Sequence, residues 1–162
     1  MSDCCKPTNH FENVLCPSCN HKGKRINLIT LKSLLLPNAL AKLDVGTTYY
    51  FCSTPSCNVV YFNEDGLIFQ QHDLKVPVFQ KDENLDTPVC YCFDWTRRKL
   101  NEAFDTDNDN KVINSISTHM KENRCGCEVN NPQGSCCLGN VKAYVKSLRA
   151  KRTWNNANHA SP

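Results

Sequence analysis

Cysteines carry the chemistry of this chain. Twelve of them stand among 162 residues, and they come in close pairs: Cys4-Cys5, Cys16 with Cys19, Cys52 with Cys57, Cys90 with Cys92, Cys125 with Cys127, and Cys136-Cys137. Buried structural cysteines scatter with hydrophobic periodicity, whereas ligand cysteines pair on short turns that bring two sulfurs to one ion. The start Met1-Ser2-Asp3-Cys4-Cys5-Lys6 leads into no apolar run of the kind a secretory signal needs, so the expected location is cytoplasmic. A reducing cytoplasm keeps thiols free for metals, which makes a disulfide framework the weaker expectation.

Cys16-Pro17-Ser18-Cys19 and Cys52-Ser53-Thr54-Pro55-Ser56-Cys57 read as two zinc knuckles set on strand ends. Four thiolates suit a tetrahedral structural Zn²⁺, with Zn–S distances of about 2.3 Å and no open position for catalysis. A thioredoxin-type reading of Cys16–Cys19 lacks the βαβ context that motif requires. His21 stands as a possible substitute for one thiolate. The segment through Gln80 carries seven basic against six acidic residues, which argues against a nucleic-acid footprint.

Cys90-Tyr91-Cys92 has one residue between its sulfurs, closer than the usual zinc knuckle. Cys-x-Cys followed some thirty residues later by further cysteines suits a [2Fe–2S] cluster, and a second zinc site is the alternative. Helices starting just after Cys92 and near Cys137 are expected to aim backbone N–H groups at such an anionic cluster. Cys4-Cys5 forms a possible soft-metal pair for Cu(I) or Hg(II), or a redox pair. Asp105-Thr106-Asp107-Asn108-Asp109-Asn110 lacks the glycine and closing glutamate of a calcium loop and reads as a solvated turn.

The elements that must position these residues divide the chain. Residues 1–13 read as a flexible, cysteine-containing leader. Residues 14–80 read as a zinc-binding, ribbon-like domain with strands at Asn27–Leu31, Thr47–Phe51, Asn58–Phe62, Leu67–Phe69 and, as an edge strand, Lys75–Phe79. A helical turn within Lys32–Leu43 is interrupted or begun by Pro37. The charged stretch Lys81–Pro88 marks the boundary. Residues 86–150 read as a helical domain. Thr96 caps a first helix with Leu100 and Phe104 on one face, Val112, Ile113, Ile116 and Met120 mark a second over Lys111–Glu122, and Val141, Tyr144, Val145 and Leu148 a third. Residues 151–162 read as a disordered tail. The fold class is therefore α+β: a small β-rich zinc-ribbon-like half followed by a small α-helical half. A net charge of +3 and the lack of any apolar run of about 20 residues give no sign of nucleic-acid or membrane partners.

Asn130 through Val141, with Cys90-Tyr91-Cys92-Phe93 before it, resembles the N-terminal region of CopZ-type copper chaperones. Tyr49–Cys52 and Cys57–Phe62 look like the zinc half of that family, and the likeness runs from Val14 to Leu148. The resemblance implies a mononuclear zinc in the first half, held by Cys16, Cys19, Cys52 and Cys57. It implies a second half similar to bacterioferritin-associated ferredoxin, holding a [2Fe–2S] cluster through Cys90, Cys92, one of Cys125 and Cys127, and one of Cys136 and Cys137. Cys127 and Cys137 are the expected choice, because that pair puts the last ligand nearest the third helix, and the other two are then ordinary thiols. Family members continue into a heavy-metal-associated domain with a Met-x-Cys-x-x-Cys copper loop, whereas the one Cys-x-x-Cys here is Cys16–Cys19, so that domain is expected to be lacking.

The function implied is one-electron transfer linked to metal-ion handling, by resemblance copper, with a redox or copper-carrier protein as partner. Arg97, Arg98, Lys99, Lys142, Lys146 and Arg149 form a candidate docking face, and His119 a candidate neighbour of the cluster. The alternatives are a metal-sensing module that captures a soft metal through Cys4-Cys5, and an interaction module with two zinc sites. No catalytic triad or open metal site is evident, so the chain is read as not an enzyme on its own.

Overall fold

A computed structural model describes residues 13–160, so the Cys4-Cys5 pair of the leader lies outside the described residues. The N-terminal part is built on an antiparallel sheet of β1 (Lys24–Ile26), β2 (Tyr49–Phe51), β3 (Val59–Asn63) and β4 (Ile68–Gln70), in that spatial order. Its register pairs Arg25 with Tyr50 and Tyr50 with Phe62, so aromatic residues face one another across the ladder. Short helices α1 (Leu28–Leu34) and α2 (Pro37–Leu40) cover one face. Leu31, Leu35, Tyr49, Phe51, Tyr61 and Phe69 are buried between helices and sheet.

The C-terminal part holds a short hairpin, β5 (Pro88–Cys90) with β6 (Trp95–Thr96), and then α3 (Arg97–Asp105), α4 (Asp109–Lys121), α5 (Cys127–Asn130) and α6 (Leu138–His159). Thr96 caps α3 as expected, its hydroxyl accepting from the Lys99 N–H at 3.2 Å. Val89, Leu100, Val112, Ile116 and Val141 form its core, and Cys90, Cys127 and Cys137 are embedded in that core. The α+β class and the order of a β-rich part before a helical part agree with the expectation.

Several elements differ from the sequence reading. Asn27–Leu31 is not a strand. The β-branched Ile29 and Thr30 enter α1, where Thr30, Leu31 and Leu34 turn inward together at helical spacing. Lys75–Phe79 makes no ladder, since Pro77 has no N–H to give and the Lys75 N–H goes instead to the Leu34 carbonyl at 2.8 Å. The helix expected just after Cys92 starts only at Arg97, because the β5–β6 hairpin intervenes. Residues 151–159 are not a disordered tail but extend α6. Arg152 anchors that extension by lying 3.9 Å over the Phe104 ring.

Candidate metal centres

The first knuckle is a tight turn closed by the Leu15–Lys22 bridge, with the Cys16 N–H bonded to the His21 carbonyl at 2.9 Å. Asn20 takes a left-handed φ of 58° that completes the turn. Cys52 leaves β2 and Cys57 leads into β3, with the Cys52 N–H bonded to the Val60 carbonyl at 2.9 Å. The sheet therefore presents both knuckles at one end. The sulfurs of Cys16 and Cys57 stand 3.9 Å apart, those of Cys19 and Cys52 3.6 Å, and all four lie within 4.8 Å of one another. A tetrahedron of sulfurs around zinc has edges of roughly 3.8 Å, so the thiols fit one ion. His21 is exposed and outside this group of four.

Burial pushes the Cys16 thiol up to about 12 and raises that of Cys52. At Cys19, burial is outweighed by hydrogen bonds with Thr54 and His21, which draw the thiol down to about 5. Lys81 also joins this site, from outside either cysteine motif. Its ammonium lies 3.8 Å from the Cys52 sulfur and donates to the carbonyls of Thr54 at 2.7 Å and Cys57 at 2.8 Å.

The second set of thiols sits inside the helical core. The sulfurs form a linked series: Cys92 contacts Cys127 at 3.5 Å, and Cys137 hydrogen-bonds both Cys127 and Cys90. Accepting from Cys137 draws Cys127 down to about 5 and lowers Cys90, while Cys137, as donor to both, is pushed far up. Burial raises Cys92 to about 11. This series is more open than the first set: among the described residues, only the Cys16 group has all its sulfurs within 4.8 Å of one another. Polar hydrogens surround it, with the Gly126 N–H 3.3 Å and the Asn130 amide 3.6 Å from the Cys92 sulfur. Cys137 occupies the N-cap of α6, and its own N–H bonds the Cys127 sulfur.

Of the two alternates, Cys125 is partly buried and bonds Cys127, and Cys136 is exposed with its sulfur 3.2 Å from that of Met120. His119 stacks on Phe93 with ring centroids 4.2 Å apart. The six basic residues do not form one docking face. Arg97 is buried on the carbonyls of Phe79 and Asn84, Arg98 pairs with Asp86, Lys99 with Asp94 and Arg149 with Asp109, while Lys142 and Lys146 stay exposed.

Residues 13–75 match the family model of the CopZ-type zinc-binding domain. Over 122 residues the chain is 34% identical to the copper chaperone CopZ of Archaeoglobus fulgidus, an alignment that takes in 75% of this chain and 57% of that protein. The chain thus spans little more than half the length of that relative. The fold is also similar to the X-ray structure of the Archaeoglobus fulgidus CopZ N-terminal domain, with a TM-score of 0.69 and 33% identity over 80% of this chain and 96% of that domain.

Proposed function

The chain belongs to the CopZ N-terminal domain family, and from that premise we propose that it is a two-centre metalloprotein of copper handling. Cys16, Cys19, Cys52 and Cys57 hold a structural Zn²⁺. Cys90, Cys92, Cys127 and Cys137 hold a [2Fe–2S] cluster, and the protein passes single electrons to a copper ion or to a copper-carrier or redox protein. In this reading the chain works as a metal-binding and electron-transfer protein rather than as an enzyme.

One observation supports the second centre above all others. Four sulfurs from three separate segments converge inside the apolar core, with one another and a few N–H groups as partners, as the ligands of a shared metal group must. Their open series fits two irons sharing four sulfurs better than one ion at the centre of a cage. A [2Fe–2S] cluster supplies storage for one electron. The chain's own part is to hold the sulfurs and tune their charge. N–H groups of Gly126 and Cys137 and the Asn130 amide donate to the sulfurs, which favours added negative charge and so raises the potential.

Anaerobic purification followed by metal and sulfide analysis tests this reading. The expected content is two irons, two sulfides and one zinc per chain, with visible absorption that bleaches under dithionite. Cys127→Ser is expected to lose the colour and Cys125→Ser to keep it. Two zincs and no colour from cells with ample iron overturn the electron-transfer reading and leave a zinc-stapled interaction module.

A further inference from the structure

Charge is unevenly spread over the zinc half. From Val14 to Ala41 the chain carries Lys22, Lys24, Arg25 and Lys32 and no Asp or Glu. All four are exposed, and among the described residues none of them pairs with a carboxylate. The helical half differs, because Arg98, Lys99, Arg124, Arg149 and Arg152 each face an acid. We propose that Lys24 and Lys32, with Lys22 next to them, form a docking face for the acidic surface of a protein that exchanges single electrons with the second centre.

Position selects this face. Side chains alternate along β1, so Lys24 shares with Ile26 the side of the sheet that α1 covers, and Arg25 turns to the opposite side. The Lys24 ammonium donates to the Ser135 hydroxyl at 2.7 Å, in the loop that leads to Cys137. Lys32 stands on α1, and α1 packs against α5, which begins at Cys127. The two cations thus belong to the elements that meet the segments bearing Cys127 and Cys137. Glu128, the acid of α5, is tied to the Asn27 amide at 2.8 Å. Unpaired positive charge beside an electron-exchanging centre draws acidic partners there and orients them, and salt screens the attraction. Lysine on an edge strand also discourages pairing with other sheets, which accounts for Lys24 and Arg25 alike but not for Lys32 on its helix.

The inference rests on the electron-transfer reading of that centre. Stopped-flow reduction of the holoprotein by a flavodoxin hydroquinone, an acidic one-electron donor, tests it. The anionic reduced flavin gives one electron to the oxidised cluster and becomes the neutral semiquinone, with no proton transferred. Lys32→Glu is expected to slow reduction at low salt roughly threefold or more. Lys24→Gln, which keeps an amide donor toward Ser135, is expected to slow it by a smaller factor. Both effects are expected to fade at about 0.5 M salt. Arg25→Glu makes the same charge reversal on the opposite side of the sheet and is expected to leave the rate within roughly twofold. Equal slowing by Lys32→Glu and Arg25→Glu, or slowing by neither, overturns the face. Unchanged reduction together with weakened binding of a DNA duplex assigns these cations to a nucleic acid and also overturns it. A colourless protein that binds labelled poly-L-glutamate, more weakly in Lys32→Glu but not in Arg25→Glu, keeps the acidic docking face and refutes the cluster reading alone.

Discussion

At the scale of single residues, the first centre is shaped as much by its neighbours as by its ligands. Four thiolates around Zn²⁺ leave net negative charge, and Lys81 sets an ammonium 3.8 Å from Cys52 while tying down the carbonyls of Thr54 and Cys57. Lys81→Met keeps the stem and removes both the charge and the donors. It is expected to speed zinc release to a chelator by roughly tenfold, the usual weight of an outer partner. The thiols themselves make zinc uptake pH-dependent. Cys16, at about 12, and Cys52, also raised, carry protons at neutral pH, whereas Cys19, near 5, is already a thiolate. Zinc must displace protons from Cys16 and Cys52, so its affinity rises with pH across the neutral range and falls as the solution is acidified. Zinc calorimetry in two buffers of different ionisation enthalpy reads this as proton release, and equal heats in both buffers refute it. Cysteine spacing made these ligands legible beforehand. Lys81 was not, because it joins the site from the boundary segment that follows the zinc half and no local pattern marks it.

Elements were legible where one face is buried on a regular period. Val112, Ile116, Val141 and Val145 all lie buried on α4 and α6, in keeping with the helical spacing that pointed to those helices. Elements set by tertiary contact were not. Ile29 and Thr30 favour a strand locally, yet the helix wins because Thr30 finds a buried partner, its hydroxyl donating to the Glu128 carbonyl at 2.6 Å. The four-residue α5 is too short to show a period at all. At the end of α6 polar composition pointed to disorder, but Arg152 supplies the missing anchor, covering Phe104 and facing Asp105 and Asp107. This anchor makes the last turns separable by experiment. Truncation after Thr153 removes Trp154, which is 66% exposed, and is expected to leave the melting temperature nearly unchanged. Arg152→Ala is expected to cost about 0.5–1 kcal/mol, a drop of roughly 1–4 °C by thermal denaturation. Equal effects of the two changes sink this account of the helix end.

At the scale of the whole molecule, the stretch between Cys127 and Cys137, the two later ligands of the proposed cluster, leans on the zinc half. Tyr61, fully buried in the sheet, donates its hydroxyl to the Pro132 carbonyl at 2.7 Å, and Gln80 reaches Gln133 at the same distance. Gly134, at φ +66°, fits so closely that an added Cβ meets Ile26 at 2.9 Å and Thr30 at 3.0 Å. The sheet that presents the zinc knuckles therefore also braces the loop that presents Cys137, and loosening one is expected to loosen the other. Tyr61→Phe leaves a buried carbonyl unpaired at a cost of about 1–3 kcal/mol, while the sheet keeps its aromatic packing. In the cluster-loaded protein it is expected to hasten bleaching of visible absorption by an iron chelator, with zinc still bound. Extraction of zinc from the parent protein is expected to hasten bleaching further, because β2 and β3 lose the ion that joins their ends. If bleaching is equally fast with and without zinc, and Tyr61→Phe matches the parent, the two centres are held independently and the shared brace has no part in keeping the second.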